Sequence, residues 1–177
     1  MKHELIFSGI GGQGVMSIGE LLCSAAVKEG YVVTFSPSYG QEKRGGRTMC
    51  QIVISDEMGS PVISAAELML VMDERSLRDY EAMIAPGGYL IVNSNMITIE
   101  TNRQDVQVIK IPCNDLAKEI GNAKTANMVA LGAAMKYFSF LGLSDVKLHL
   151  ADIFTGGKSK LIAVNEKALD AGFNYQV

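Results

Sequence analysis

The sequence has no pair of cysteines close enough to grip a metal. Cys23, Cys50 and Cys113 are scattered along 177 residues, with no CxxC or CxxxC spacing among them. That excludes a ferredoxin-like cluster domain or a zinc ribbon within the chain, and makes a disulfide framework a poor reading. Positive charge is not in excess either: Lys plus Arg is 16 against 19 Asp plus Glu, a formal charge of −3. A basic module for nucleic acid is thereby disfavoured. Apolar stretches such as residues 128–135 fall well short of the roughly 20 residues a membrane span needs. The first eight residues enter a strand-like run too short for a signal peptide and without its cleavage pattern. Prolines number only four against eighteen glycines, which points to tight strand-to-helix turns and not to a disordered linker. Without repeats or low-complexity tracts, the expectation is one cytoplasmic α/β domain over residues 1–177, large enough to bury a real core.

Strand and helix periods alternate along the chain, the pattern of an α/β fold with a mostly parallel sheet and flanking helices. Residues 4–8 read as a buried first strand. Val15, Ile18, Leu22 and Ala25 then mark one face of a helix ended by Gly30. Residues 31–35 read as a strand stopped by Ser36-Pro37-Ser38, and 47–54 as the next strand. A strand over 68–72 leads to Asp73 as a helix N-cap, and the helix carrying Leu77, Tyr80 and Ile84 breaks at Ala85-Pro86-Gly87-Gly88. Strands over 89–92 and 106–111 follow. The C-terminal third reads as helical, over 115–120, 126–141, 145–154 and 158–171, with Ser144 as a cap and Gly142 and Gly172 as stops.

Two constellations carry chemistry. Gly9-Ile10-Gly11-Gly12-Gln13-Gly14 matches G-x-G-x-x-G between a strand and a helix, a turn that brings bare backbone to a ligand and aims helix N–H groups at it. A dinucleotide fingerprint also needs an acid at the end of the second strand, where this chain has Phe35-Ser36-Pro37-Ser38. The nicotinamide reading is demoted accordingly, and the glycines are left either to ligand or partner contact or to close packing of the first helix. A P-loop is excluded because Val15-Met16 follows the glycines. The second constellation, residues 39–46 with Arg47, gathers Tyr39, Glu42, Lys43, Arg44, Gly45 and Gly46. Paired glycines beside an arginine allow close approach of a carboxylate or phosphate to a bidentate donor, so a site or a subunit interface is expected near Arg44. His3 and His149 are isolated, the cysteines read as inert thiols, and no metal-ligand spacing or catalytic residue can be nominated.

Gly9–Val15 together with the stretch from Pro37 to Gly46 closely resembles the gamma subunit of 2-oxoacid:ferredoxin oxidoreductases. Pro86-Gly87-Gly88-Tyr89-Leu90-Ile91-Val92, Asn127-Met128-Val129-Ala130-Leu131-Gly132-Ala133 and the stretch from Asn165 to Gly172 agree, so the resemblance covers residues 4–173. One departure is Gln41, where many relatives carry proline. The resemblance implies a Rossmann-like domain, inactive alone, that packs against alpha, beta and delta subunits. Those partners would hold thiamine diphosphate, Mg, coenzyme A and iron–sulfur clusters, decarboxylate a 2-oxoacid oxidatively and reduce ferredoxin. It also implies that Gly11, Gly12, Gln13, Gly14, Tyr39, Glu42, Arg44, Gly45, Gly46 and Asn127 face a cofactor or those subunits. The loop pattern is closer to the 2-oxoglutarate or branched-chain types than to the indolepyruvate branch. A free-standing Rossmann enzyme using NAD or S-adenosylmethionine, and a non-catalytic scaffold, are the competing readings.

Overall fold

The computed structural model describes residues 1–42 and 44–177; Lys43, one of the loop cations, lies outside the described residues. At its centre is β1 (Lys2–Ile10), whose Leu5, Ile6 and Phe7 are all fully buried, so that both faces of the strand are covered. Leu5 and Phe7 join a large core with α1 (Val15–Lys28), while Ile6 joins a smaller one on the opposite face. The chain continues through β2 (Val32–Tyr39), β3 (Arg47–Ser55), β4 (Ala66–Val71), α2 (Glu74–Tyr80), β5 (Ile84–Asn93) and β6 (Gln107–Ile111). The helices α3 (Cys113–Ile120), α4 (Ala126–Met135), α5 (Leu143–Leu148), α6 (Leu150–Ile153) and α7 (Ile162–Asn174) close it.

The sheet order is β2-β3-β1-β4-β5-β6. β1, β4, β5 and β6 run parallel, and β3 runs antiparallel to both of its neighbours, β1 and β2. The expected mostly parallel sheet with flanking helices and a helical C-terminal third is therefore what forms. Coverage of the two faces is unequal. Residues of α1, α3, α4, α5, α6 and α7 all enter the large core, whereas Leu77 of α2 stands with loop residues Ile63 and Ile97 over the smaller one.

Four boundaries in particular differ from the sequence reading. Ser36-Pro37-Ser38 does not stop β2; the strand runs on to Tyr39, with Pro37 opposite Cys50, because β2 is an edge strand that tolerates a missing N–H. Ala85-Pro86-Gly87-Gly88 does not break a helix but lies inside β5, where the pairing with β4 shifts register between Ala66 and Leu68 and Gly87 takes φ +79°. The helix expected over 126–141 ends at Met135, followed by turns from Lys136, Tyr137 and Phe138 N–H back to carbonyls three residues earlier. Aromatic packing wins there: Tyr137 lies 4.4 Å from Tyr89, and Phe140 lies 4.3 Å from His3. The helix expected over 145–154 is two, joined at His149, and its cap is Gly142, whose N–H donates to Asp145 Oδ2 at 2.8 Å, with Ser144 already inside.

Gly172 is a more instructive departure. It lies within α7 and ends nothing. A Cβ there would stand 2.8 Å from Ala133 N and closer still to the Val129 carbonyl oxygen, and Gly132 is pressed in the same way against the Leu169 carbonyl. Two glycines thus let α4 and α7 cross backbone to backbone. Asp73 caps α2 as the sequence suggests, its carboxylate accepting from the N–H groups of Arg75 and Ser76 at 3.2 and 3.3 Å.

Candidate functional site: a cleft between the glycine loop and the arginine–glycine loop

The two constellations meet at the carboxyl end of β1. Gly11 N–H donates to the Gly46 carbonyl at 2.8 Å, which joins the glycine loop to the loop between β2 and β3. The latter is closed at its base by Gly40 N–H on the Arg47 carbonyl at 2.7 Å. Between them opens a cleft of about 740 Å³, walled by Gly11, Gly12, Tyr39, Glu42, Arg44 and Gly45 among others. Gly12 and Gly45 hold φ of +94° and +62°, left-handed positions that any other residue would strain.

Two of the sequence-nominated residues stand behind this wall and not on it. Gln13 turns toward the sheet: its Oε1 accepts from Ile10 N–H at 2.8 Å and its Nε2 donates to the Met72 carbonyl at 3.0 Å. It staples the loop to the end of β4, and its Oε1 occupies the space that a Cβ on Gly9 would need. Asn127, nine-tenths buried at the start of α4, donates from Nδ2 to the Gly14 carbonyl at 3.1 Å and accepts from Met128 N–H at 2.9 Å. Gly14, at φ +72°, has no room for a side chain because Asn127 Cγ lies 3.0 Å from where its Cβ would be. Gln13 and Asn127 therefore fix the shape of the loop, while Gly11, Gly12, Gly14, Tyr39, Glu42, Arg44, Gly45 and Gly46 line the cleft.

Charge in the cleft is arranged by α2. Arg75 and Asp79, four residues apart and thus on one helix face, reach the loop with opposite signs. Arg75 lies 3.5 Å from Glu42 Oε1, and Asp79 pairs with Arg47 at 2.9 Å. The Glu42 carboxylate folds back over Gly40 and Gly46. Arg44 is left exposed, without an ion pair among the described residues. Tyr39, 66% exposed, flanks it. Sequence reasoning missed Arg75 and Asp79; the signal was their helical spacing just after the Asp73 cap.

The reactive side chains of the chain lie elsewhere. Burial pushes each of the three thiols up to about 12, Cys23 and Cys50 in the core and Cys113 at the first position of α3. His3, buried near the start of β1, is paired with Glu67 at 2.6 Å, and His149 lies 3.2 Å from Asp152. Among the described residues no three His, Cys, Asp or Glu side chains cluster as metal ligands. No helix is long and apolar enough to cross a membrane. Among the described residues the cleft offers backbone N–H groups, the exposed Arg44 guanidinium and an exposed aromatic ring, groups with the chemistry to hold an anion or a partner.

Fold and cleft together define an α/β domain of the Rossmann-like kind in which an arginine–glycine loop covers the glycine turn. The profile of pyruvate ferredoxin/flavodoxin oxidoreductase matches residues 4–175, nearly the whole chain, and the chain belongs to that family. Ketoisovalerate oxidoreductase subunit VorA of Methanothermobacter thermautotrophicus is 35% identical over 167 residues, covering 93% of this chain and 34% of VorA. The 2-oxoglutarate synthase subunit KorC of Methanothermobacter marburgensis is 34% identical over 142 residues, covering 75% of this chain and 76% of KorC. The crystal structure of the keto/oxoacid ferredoxin oxidoreductase gamma subunit from Geobacter sulfurreducens superposes with a TM-score of 0.83 at 28% identity, covering 97% of this chain and 96% of that one. The chain thus matches some relatives end to end but spans only about a third of the VorA proteins.

Proposed function

We propose that this chain is the gamma subunit of a 2-oxoacid:ferredoxin oxidoreductase and is inactive by itself. Its partners are the alpha, beta and delta subunits, which carry out thiamine-diphosphate-dependent decarboxylation of a 2-oxoacid to an acyl-coenzyme A and pass electrons to ferredoxin. The observation that carries this reading is the cleft itself. Two loops of a family-specific pattern are bonded into one wall whose exposed Arg44 guanidinium and backbone N–H groups suit an anion or a partner.

The donor set supports the same division of labour. Iron–sulfur clusters do not fit, since all three cysteines are buried with thiols held protonated. An anionic portion of a cofactor bound mainly by a partner does fit, against Arg44 and the backbone of Gly12. Names of the similar proteins include ketoisovalerate and 2-oxoglutarate enzymes, which supports a branched-chain or 2-oxoglutarate substrate.

The test is reconstitution with the partner subunits and assay of 2-oxoacid-dependent reduction of a viologen dye. Arg44→Ala is expected to lower turnover or assembly by about tenfold or more, the scale of one charge-assisted hydrogen bond. Unchanged assembly and turnover would refute the assignment of Arg44. Strong thermal stabilisation of the isolated chain by a dinucleotide would instead favour a free-standing enzyme.

A further inference from the structure

The edge of the sheet formed by β2 is built unlike the other edge. β6 is five residues long and carries Lys110, which pairs with Glu100. Such short, charged strands resist pairing with foreign chains. β2 is eight residues long, VVTFSPSY, with no charge in it. Its single protection is Pro37. Proline is accommodated in a ladder only where its missing N–H faces away from the neighbour, so Pro37, opposite Cys50, sits at an outward position. By the two-residue alternation of an antiparallel pair, Val33, Phe35 and Tyr39 also turn their N–H and C=O groups outward.

The face beside this edge is bare as well. Val33 and Phe35 pack toward α1, whereas Val32 and Thr34 line a groove of about 460 Å³ on the other side, with Val53, Met58 and the charged Lys2, Asp56 and Glu57. Among the described residues no helix contributes to the lining of that groove. Met1, Met58 and Val62, 61%, 89% and 67% exposed, rim the same end of the molecule. An uncharged free edge beside a groove of mixed apolar and charged lining calls for an occupant.

We propose that β2 is extended by one strand from a partner subunit of the assembly, its side chains entering the groove at Val32, Thr34 and Met58. This rests on the reading of the chain as one subunit of a larger enzyme. Two observations choose a different polypeptide over a second copy. A two-fold pairing of β2 with itself repeats the Pro37 defect in both strands, whereas a different strand meets it once. And β2 leads through Tyr39 into the cleft, so a strand added there brings the partner's chain to the cleft mouth. In VorA the equivalent domain makes up 34% of a longer polypeptide, so in that relative it already has neighbouring chain to pack against.

Amide exchange on the reconstituted complex tests this directly. In the isolated chain the amides of Val33, Phe35 and Tyr39 should exchange rapidly, while those of Val32 and Thr34, bonded to β3, stay protected. In the complex the first three should slow by about tenfold or more. The double variant Thr34→Lys with Ser36→Lys, both off the core, should keep its melting temperature yet bind the partner subunits about tenfold more weakly. A complex that forms with those amides unprotected, or with full affinity in the double variant, overturns the proposal and leaves the subunit reading standing. Failure of the wild-type chain to bind the partner subunits at all overturns both. Protection that rises with concentration of the isolated chain overturns it in favour of a second copy.

Discussion

Replacing Gly172 by alanine sets two physical effects against each other. Helix propensity favours alanine over glycine in a helix interior by about 1 kcal/mol, and Gly172 lies inside α7. Propensity alone therefore forecasts a more stable protein. The packing says the reverse. A Cβ at Gly172 would stand 2.8 Å from both the Ala133 nitrogen and the Val129 carbonyl carbon, and nearer still to the Val129 oxygen. These are backbone atoms of α4, so no side chain can rotate aside, and α7 must lift away. Lifting it disturbs Ala168 and Leu169, both fully buried against α4. Overpacking of this kind costs about 1–3 kcal/mol, and a rigid backbone obstacle puts it at the upper end. The net expectation is a loss of about 1–2 kcal/mol, a fall in melting temperature of about 2–8 °C for a domain of this length. Thermal and urea unfolding of Gly172→Ala would measure it. Gly157→Ala serves as the control, since a Cβ there meets nothing within 4 Å and should change stability by less than about 0.5 kcal/mol. A Gly172→Ala protein as stable as wild type, or more so, would refute the helix-crossing argument.

Asn127→Ala removes the donor to Gly14 and the acceptor for Met128 N–H; a loss of about 1–2 kcal/mol is expected, together with faster amide exchange in the glycine loop. The three thiols, pushed up by burial to about 12, should resist a thiol reagent at pH 8 in the native protein and react promptly in denaturant; rapid labelling of the native chain would contradict their burial. Burial by itself would raise the Glu81 carboxyl, but hydrogen bonds from Thr101 and Asn102, with Arg78 nearby, hold it below its ordinary 4.5. A carboxyl depressed by folding stabilises the protein above its unfolded value and loses that contribution as pH falls through the folded one. Melting temperature should therefore drop below about pH 4.5, and less steeply in Glu81→Gln; equal slopes in the two proteins would exclude Glu81 as a contributor.

What could be read from the sequence followed from local rules. The two loops sit between periodic segments, Asp73 is a cap with a helical pattern behind it, and the core face of α1 repeats at helical spacing, so each declares itself within a few residues. What could not be read depended on neighbours distant in the chain. Pro37 looks like a strand stop until β2 is known to be an edge, and Pro86-Gly87-Gly88 looks like a breaker until β4 imposes a shifted register on β5. Gly172 looks like a helix end because glycine ends many helices; only the approach of α4 reveals the other use. In the cleft, residue types were legible but not directions. Nothing in the sequence says that Gln13 and Asn127 turn to backbone carbonyls, or that Glu42 is engaged by Arg75 from α2.

The same dependence on topology sets the G-x-G-x-x-G turn here apart from the dinucleotide-binding arrangement. In the dinucleotide fold the strand carrying the ribose-binding acid lies next to the strand that ends in the glycines. Here the reversed strand β3 is inserted between β2 and β1, which moves the end of β2 one strand further out. An acid at Ser36 would therefore not restore the fingerprint, because the register pairs that position with Gln51 of β3 and not with β1. The inserted strand also brings its own leading loop to the carboxyl edge, and Gly46 of that loop accepts the Gly11 N–H across the mouth of the turn. Gly11 N–H, which a diphosphate could otherwise engage, is thus already committed to protein. Arg44 of the same loop is left exposed beside it, on the wall of the cleft.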